Sequence, residues 1–222
     1  MASSDNDQSL PQSPHWSTNY QGSRASRKNY SEEITEEQNC SVWITYLPAG
    51  CDSAMLCHSL RGTGKIYSMF INPPNDQHRT SAAKAVFWDH LGVNRLMHTV
   101  ESGQFRVGYN RPRVIPHRIK VSAQVPSKRS RVIEISGPME IVNRDFLNAF
   151  FLEKFWFGVE SVQTIGIYEG LSIMKWSFCC YRCQSQYAVH HIFDQKRRQD
   201  LTDIERRFWS QVYVRWLEDP CA

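Results

Sequence analysis

Three places in the 222-residue sequence bring together side chains of types that do chemistry. The first is Cys180-Tyr181-Arg182-Cys183, followed by His190-His191. Thiolates and an imidazole are the ligand types of a tetrahedral zinc site. A second Cys pair or a correctly spaced distant His is missing, and Cys183 and His190 are seven residues apart along a predicted helix, which is simply one helical face. As a redox pair the same CxxC would have to open a helix after the first strand of a thioredoxin-like unit, whereas here it follows a third predicted strand. The second place is Gly62-Thr63-Gly64-Lys65, which lacks the spacing GxxxxGKS/T and leads into a strand rather than a helix, so it does not build a phosphate loop. The third is the scatter of His58, His78, His90, His98 and His117, none with a Ser or Cys at a catalytic spacing. No enzyme, bound metal, cofactor or small-molecule substrate is expected.

What remains is noncovalent chemistry: a ring and a basic strip. In SVWITYLP, at 41–48, Trp43 stands between the branched apolar residues Val42 and Ile44. If Val42 and Ile44 point into a core, strict alternation sends Trp43 to the opposite face, where water would normally be. Such a ring is either a stacking platform or is covered by a linker, by the acidic segment before it, or by a second domain. Both readings are open on the sequence alone. Between Gln104 and Arg131 lie eight Lys or Arg and no Asp or Glu, so in a chain of net charge +4 the remainder carries −4. A basic strip in an otherwise acidic protein points to a polyanionic partner, with a solvated basic linker as the plain alternative.

The elements that must position these groups follow from composition and periodicity. At 41% hydrophobic, 12% aromatic and 22% charged the chain is globular rather than fibrous or wholly disordered. It contains no apolar run long enough to span a bilayer, and its polar amino terminus lacks the hydrophobic segment of a secretory signal. It is therefore expected to be soluble and intracellular, with nucleus and cytoplasm not distinguished. Seven cysteines without a regular framework read as reduced thiols. Residues 1–38, rich in Ser, Asn, Gln and Asp, read as a disordered tail, within which SEEITEEQ has the makings of a short acidic helix.

A first unit over 39–113 reads strand (42–47), helix (52–60, capped by Asp52), strand (KIYSMFIN), strand (AAKAVFW), helix (91–100) and strand (QFRVGY). A basic linker over 114–129 is punctuated by Pro116 and Pro126. A second unit over 130–218 repeats the order: RVIEISGP, a helix over 144–155, SVQTIGIY, LSIMKWSFC, a helix over 184–197 and VYVRW. The helix RDFLNAFFLEKFWFG carries six aromatic residues, more than one helix face needs, and a surplus ring on the outside would mark a docking site. KRRQDLTDIERRFW, with balanced charges, reads as a solvated face.

NCSVWITYLP, the GxGKIY turn, INPP and AAKAVFWD together resemble the RNA recognition motif (RRM) domain, in divergent fungal-type members with two domains in tandem. The resemblance covers about 40–113, and over 130–218 it rests on strand and helix order. It implies an α+β fold of two tandem βαββαβ (ferredoxin-like) sandwiches, each a four-stranded antiparallel sheet with two helices on one face. It further implies non-enzymatic binding of single-stranded RNA by the first sheet and the basic linker. Trp43 then occupies the aromatic position of the first-strand motif, while Ala82 and Lys84 stand where the third strand expects rings. Arg106 and Gly108 would face outward on the fourth strand, with Phe105 and Val107 buried, and Tyr67 or Phe70 would add a ring, the phase of that strand being open. Lys84, Arg106, Arg111, Arg113 and Lys120 would meet phosphate, as would Lys175 and Arg215 on the second sheet, where Glu134 takes the stacking position and opposes RNA. The competing reading is a protein-interaction module that keeps the fold and has lost base readout, with the second domain as the surface for a protein partner.

Overall fold

The computed structural model describes residues 30–222. In the first unit, β1 (Ser41–Leu47), β2 (Ile66–Asn72), β3 (Ser81–Phe87) and β4 (Arg113–Pro116) form an antiparallel sheet in the order β2-β3-β1-β4. Alternation along β1 and β3 buries Val42, Ile44, Ala83, Ala85 and Phe87 against Leu56 of α1 (Ser53–Ser59) and Val93 and Leu96 of α2 (His90–Glu101). Both helices start on an acidic cap. The Asp52 carboxylate accepts from Met55 N at 2.7 Å and the Asp89 carboxylate from Gly92 N at 3.2 Å. Gly64, read above as no phosphate loop, packs on α2: a Cβ there would lie 2.7 Å from Gly92 Cα, so the glycine serves close approach of two backbones.

The last strand of this unit corrects the sequence reading. QFRVGY is not β4; Phe105 and Val107 are buried as expected, but as anchors of a loop that turns at Gly108 and Tyr109. The edge strand is RVIP, pairing Thr45↔Arg113 through Val42↔Pro116, so the first four residues after 112 belong to the sheet. Proline ends this strand without cost because β4 lies at the sheet edge. The tail departs from the expectation of disorder over 30–38, although the end of its acidic segment SEEITEEQ does form a short turn beside β1. Residues 1–29 of the expected disordered tail lie outside the described residues, whereas 36–38 form a short 3-10 turn and Glu32 N bonds to Lys120 O.

The second unit repeats the plan with β5 (Val132–Pro138), α3 (Arg144–Leu152), β6 (Val159–Tyr168), β7 (Leu171–Phe178), α4 (Gln186–Arg197) and β8 (Tyr213–Trp216), in the sheet order β6-β7-β5-β8. It has a helix the sequence reading missed, α5 (Asp203–Ser210), inside the run taken for a solvated face. Thr202 and Glu205 cap each other across its first turn, and Trp209 alone among its residues is buried. The unit thus has three helices rather than two. Of the six aromatics after Arg144, Phe150 and Phe151 are core, Phe155 and Phe157 pack on it beyond the end of α3, Phe146 is exposed beside Trp209, and Trp156 is the most exposed ring, at 73%. Among the described residues no helix is long and apolar enough to cross a membrane.

The two units meet around a fully buried guanidinium. Arg131 donates from Nε to Asp219 Oδ1 at 2.8 Å and from Nη1 to Phe178 O at 2.8 Å, and Nη1 lies 2.7 Å from Glu160 Oε2. These partners reach into the first unit: the other Asp219 oxygen accepts from Ile66 N of β2, and Glu160 pairs with Arg61 after α1 at 2.5 Å. Burial alone would raise the Glu160 carboxyl, but the two guanidiniums more than offset it and hold its pKa below the usual carboxylate value. Thiols complete the junction, with Cys57 Sγ donating to Cys179 O and Cys221 Sγ to Cys57 O. Cys179, Cys180 and Cys221 belong to the first unit's core cluster, so that core is closed by the second unit. Removing one partner leaves a buried charge uncompensated, so Asp219→Ala is expected to cost about 3–5 kcal/mol in urea unfolding. A loss below about 1 kcal/mol, the scale of an exposed pair, would show that the junction is solvated.

Candidate nucleic-acid interface

On the face of the first sheet turned away from α1 and α2, cross-strand register sets four side chains in one row: Phe70, Lys84, Trp43 and Ile115. A bulge between Ile66 and Ser68 resolves the open phase of β2, because it brings Tyr67 to the same face as Phe70 while Ile66 and Met69 point into the core. None of the four strands contains an acidic residue. The second sheet differs: Glu134 on β5 is gripped by Arg215 in a two-pronged pair at 2.6 and 2.7 Å and stands opposite Lys175.

Part of the first face is covered. After β4 the chain turns back across the sheet: His117 N bonds to Ser41 O, Cys40 N to Val121 O and Gln124 N to Trp88 O. Asn39 ties this strap further, donating to His117 O and accepting from Val121 N and Ser41 N. Under it Cys40, Val86 and Val121 form a small buried cluster with Tyr67 packed on it. These bonds fall at the end of the sheet that holds Cys40 and Trp88; the opposite end, with Thr45, Asn72, Ala82 and the exposed Arg113, lies outside them. Trp43 sits between the two regimes. It is half-buried, with its ring 5.5 Å from that of His117.

The strap also sets the charge state of the row. Burial, with the Arg182 charge added, lowers the Lys84 ammonium to about 8. Burial and Lys84 push His117 down to about 4, so its imidazole is neutral beside Trp43. Arg182 arrives from the turn between β7 and α4, whose neighbour Tyr181 packs its ring on Tyr67 at 5.9 Å and on Trp88 at 5.0 Å. Where strap, sheet and second unit meet there is a cleft of about 450 Å³ lined by these three rings with Gln124, Arg129 and Gln186.

The eight residues expected to contact RNA are thus not one surface. Trp43 and Lys84 share the row, and Arg113 opens β4 opposite Thr45 at its uncovered end. Arg106 and Arg111 are exposed in the loop before β4, off the sheet, which corrects the strand position assumed for Arg106. Lys120 is engaged by the amino-terminal segment, 2.9 Å from Glu36 Oε1 and donating to Ile34 O at 2.9 Å. Lys175 and Arg215 belong to the second sheet with Glu134. Sequence reasoning left Phe70 as an alternative to Tyr67 and missed His117 and Arg182. The first needed the bulge, the second a strap that runs back over its own sheet, and the third lay inside CYRC. In that motif Cys180 is buried, its thiol pushed up to about 12 by burial, while Cys183 is exposed. All seven cysteines are free thiols, and among the described residues no three His, Cys, Asp or Glu converge on a metal position.

No family model matches this sequence, and no curated protein matches it. Among solved structures the chain is similar to the first two RRM domains of yeast poly(U) binding protein, with 13% identity and a TM-score of 0.31, covering 80% of this chain and 99% of that one. It is similar to Sex-lethal RNA recognition domains 1 and 2 from Drosophila melanogaster, with 15% identity and a TM-score of 0.27, covering 81% and 100%. It is also similar to the N-terminal three RNA binding domains of yeast splicing factor Prp24, with 9% identity and a TM-score of 0.32, covering 80% and 64%. Superpositions this loose carry no argument of their own; strand order and register establish the βαββαβ fold of each unit.

A half-buried ammonium has a testable cost. Its pKa, lowered from 10.5 to about 8, means that Lys84 destabilises the folded state fully below pH 8 and progressively less as pH rises through that window, where the unfolded chain holds the proton and the folded one does not. Lys84→Met is therefore expected to melt at higher temperature than the wild type at pH 7, with the gap closing toward pH 10.5. An equal or lower melting temperature at pH 7 would show that the ammonium is well solvated.

Proposed function

We propose that this chain is a non-enzymatic RNA-binding protein that takes single-stranded RNA on the outer face of β1–β4 and along the basic segment after α2. The observation that carries the reading is the row Phe70-Lys84-Trp43 on a sheet whose strands contain no acidic residue. Neighbouring strands are about 4.8 Å apart, so Phe70 and Trp43, separated by β3, present rings about 10 Å from each other. Each ring offers a face to a separate base, and the Lys84 ammonium between them answers the phosphate that joins them. Arg113, with Arg111 and Arg106 behind it, continues the positive potential beyond the uncovered end. With Ala82 and Lys84 where further rings would stand, base readout is poor, and the binding is tolerant of sequence.

The second unit favours a different role. Its stacking position is held by the Glu134–Arg215 pair, and its edge strand β6 runs into a hairpin whose Ile165, Ile167, Tyr168 and Leu171 are exposed. An apolar edge of this kind suits a protein contact better than a polyanion.

The test is fluorescence anisotropy of a labelled mixed-sequence single-stranded RNA across a salt series. Loss of one stacked base is worth about 1–3 kcal/mol, so Trp43→Ala is expected to weaken binding about 5- to 150-fold with its circular dichroism unchanged. Affinity of the wild type should fall steeply with salt. Absence of saturable binding by the wild type at moderate salt would overturn the reading.

A further inference from the structure

We propose that Tyr46 and Tyr109 form a second stacking platform for single-stranded RNA, off the edge of the first sheet, with Arg106, Arg111 and Arg113 holding the phosphates that lead to it. The proposal rests on the RNA-binding reading above and extends it to residues outside the sheet face.

Tyr46 lies near the end of β1, where pairing with β3 slips between Ile44 and Leu47. Its backbone is held at φ +61°, a left-handed conformation that a bulky L-residue rarely adopts, and its ring is 58% exposed. Alternation alone would not place the side chain there; the bulge re-aims it. Asn110 donates from Nδ2 to Tyr46 O at 2.9 Å, tying this bulge to the loop that carries Tyr109.

That loop is a presentation device. Val107 and Asn110 close it with reciprocal backbone hydrogen bonds of 3.2 and 3.1 Å, Gly108 turns it at φ +58°, and Phe105, Val107 and Pro112 are buried on either side. At its tip Tyr109 is 100% exposed. An apolar ring held wholly in water on a loop pinned at both ends contributes nothing to the core. For a ligand it is an anchor that loses little freedom on binding, since Tyr has two side-chain torsions and the backbone is already ordered.

The charges around these rings choose the ligand. Arg106, Arg111 and Arg113 are exposed, form no ion pair among the described residues, and share the segment 104–116 with no Asp or Glu. Guanidiniums interleaved with exposed rings match a chain of alternating phosphates and bases. The path is also consistent. The strap closes the Cys40 end of the sheet, Thr45 pairs with Arg113 at the other end, and Tyr46 follows Thr45 directly. A strand that crosses Phe70 and Trp43 toward Arg113 arrives at Tyr46 and Tyr109. The platform supplies at the edge the rings that the third strand lacks at Ala82 and Lys84.

The experiment measures anisotropy with labelled single-stranded RNAs of about four and about ten nucleotides, within the site sizes that small single-strand-binding domains such as OB folds accommodate. The proteins are the full chain, Trp43→Ala, and the double variant Tyr46→Asn with Tyr109→Ala, in which Asn tolerates the left-handed backbone. The double variant is expected to lose at least about fivefold in affinity for the longer RNA and to keep wild-type affinity for the shorter one. Equal binding of the longer RNA by the double variant and the wild type, with Trp43→Ala still impaired, overturns this proposal and leaves the RNA reading standing. Failure of the wild type to bind either RNA overturns both. Tyrosine-dependent binding of an acidic peptide in place of RNA would assign the platform to protein and overturn it as well. Urea unfolding of the double variant within error of the wild type confirms that a loss is local.

Discussion

One buried guanidinium organises the chain. Arg131 enters the second unit just before β5, with Nε on Asp219 near the carboxyl end, Nη1 between the carbonyl at the end of β7 and Glu160 at the start of β6, and Nη2 on Cys221 Sγ. Two of these partners are shared with the first unit, Asp219 with the amide of Ile66 and Glu160 with Arg61. A buried ion pair need not outperform a well-packed apolar substitute, because desolvation consumes most of its Coulombic gain. What it supplies is orientation: a guanidinium satisfied in the plane of its fork fixes each partner's direction. The same junction places Cys179, Cys180 and Cys221 in the first unit's core, so apolar packing and polar pairing agree on one arrangement.

The functional face inherits its asymmetry from that junction. With the units fixed, Tyr181 comes to rest on Tyr67 and Trp88, Arg182 is set toward Lys84, and the segment between the units runs across the covered end of the first sheet. Lys84 is consequently desolvated and His117 kept neutral, which leaves Lys84 as the one charge of the row, with Arg106, Arg111 and Arg113 exposed beyond its uncovered end. A phosphate beside Lys84 would offset the desolvation of its ammonium, so ligand binding relieves a cost that the free protein carries. The opposite end is left for the arginines and for the two exposed tyrosines.

Much of this was legible in the sequence. The alternation of Val42, Trp43 and Ile44 places the tryptophan correctly on the outer face, Asp52 caps the helix it was assigned to, and the order of strands and helices gives both units. Other features were hidden for identifiable reasons. Phe105 and Val107 alternate as a strand would, yet they anchor a loop, because burial of two apolar residues does not distinguish pairing from packing. Residues 114–116 of β4 looked like linker because prolines punctuate that stretch, although an edge strand has one side that needs no donor. The charge balance of α5 concealed a helix that its Thr202/Glu205 capping box announces. Neither the β2 bulge nor the strap can be read locally. Both depend on which side chains another segment covers.

The account stands on Trp43 being a ligand-facing ring rather than a covered one. The most direct measurement follows the indole N–H signals by NMR while single-stranded RNA is titrated into the full chain, with the buried Trp176 of the second unit as an internal reference. A saturable shift of the Trp43 signal that is reversed by salt, with Trp176 unmoved, is the result predicted here. A Trp43 signal that stays fixed while the exposed Trp156 moves, or while none moves, would contradict it.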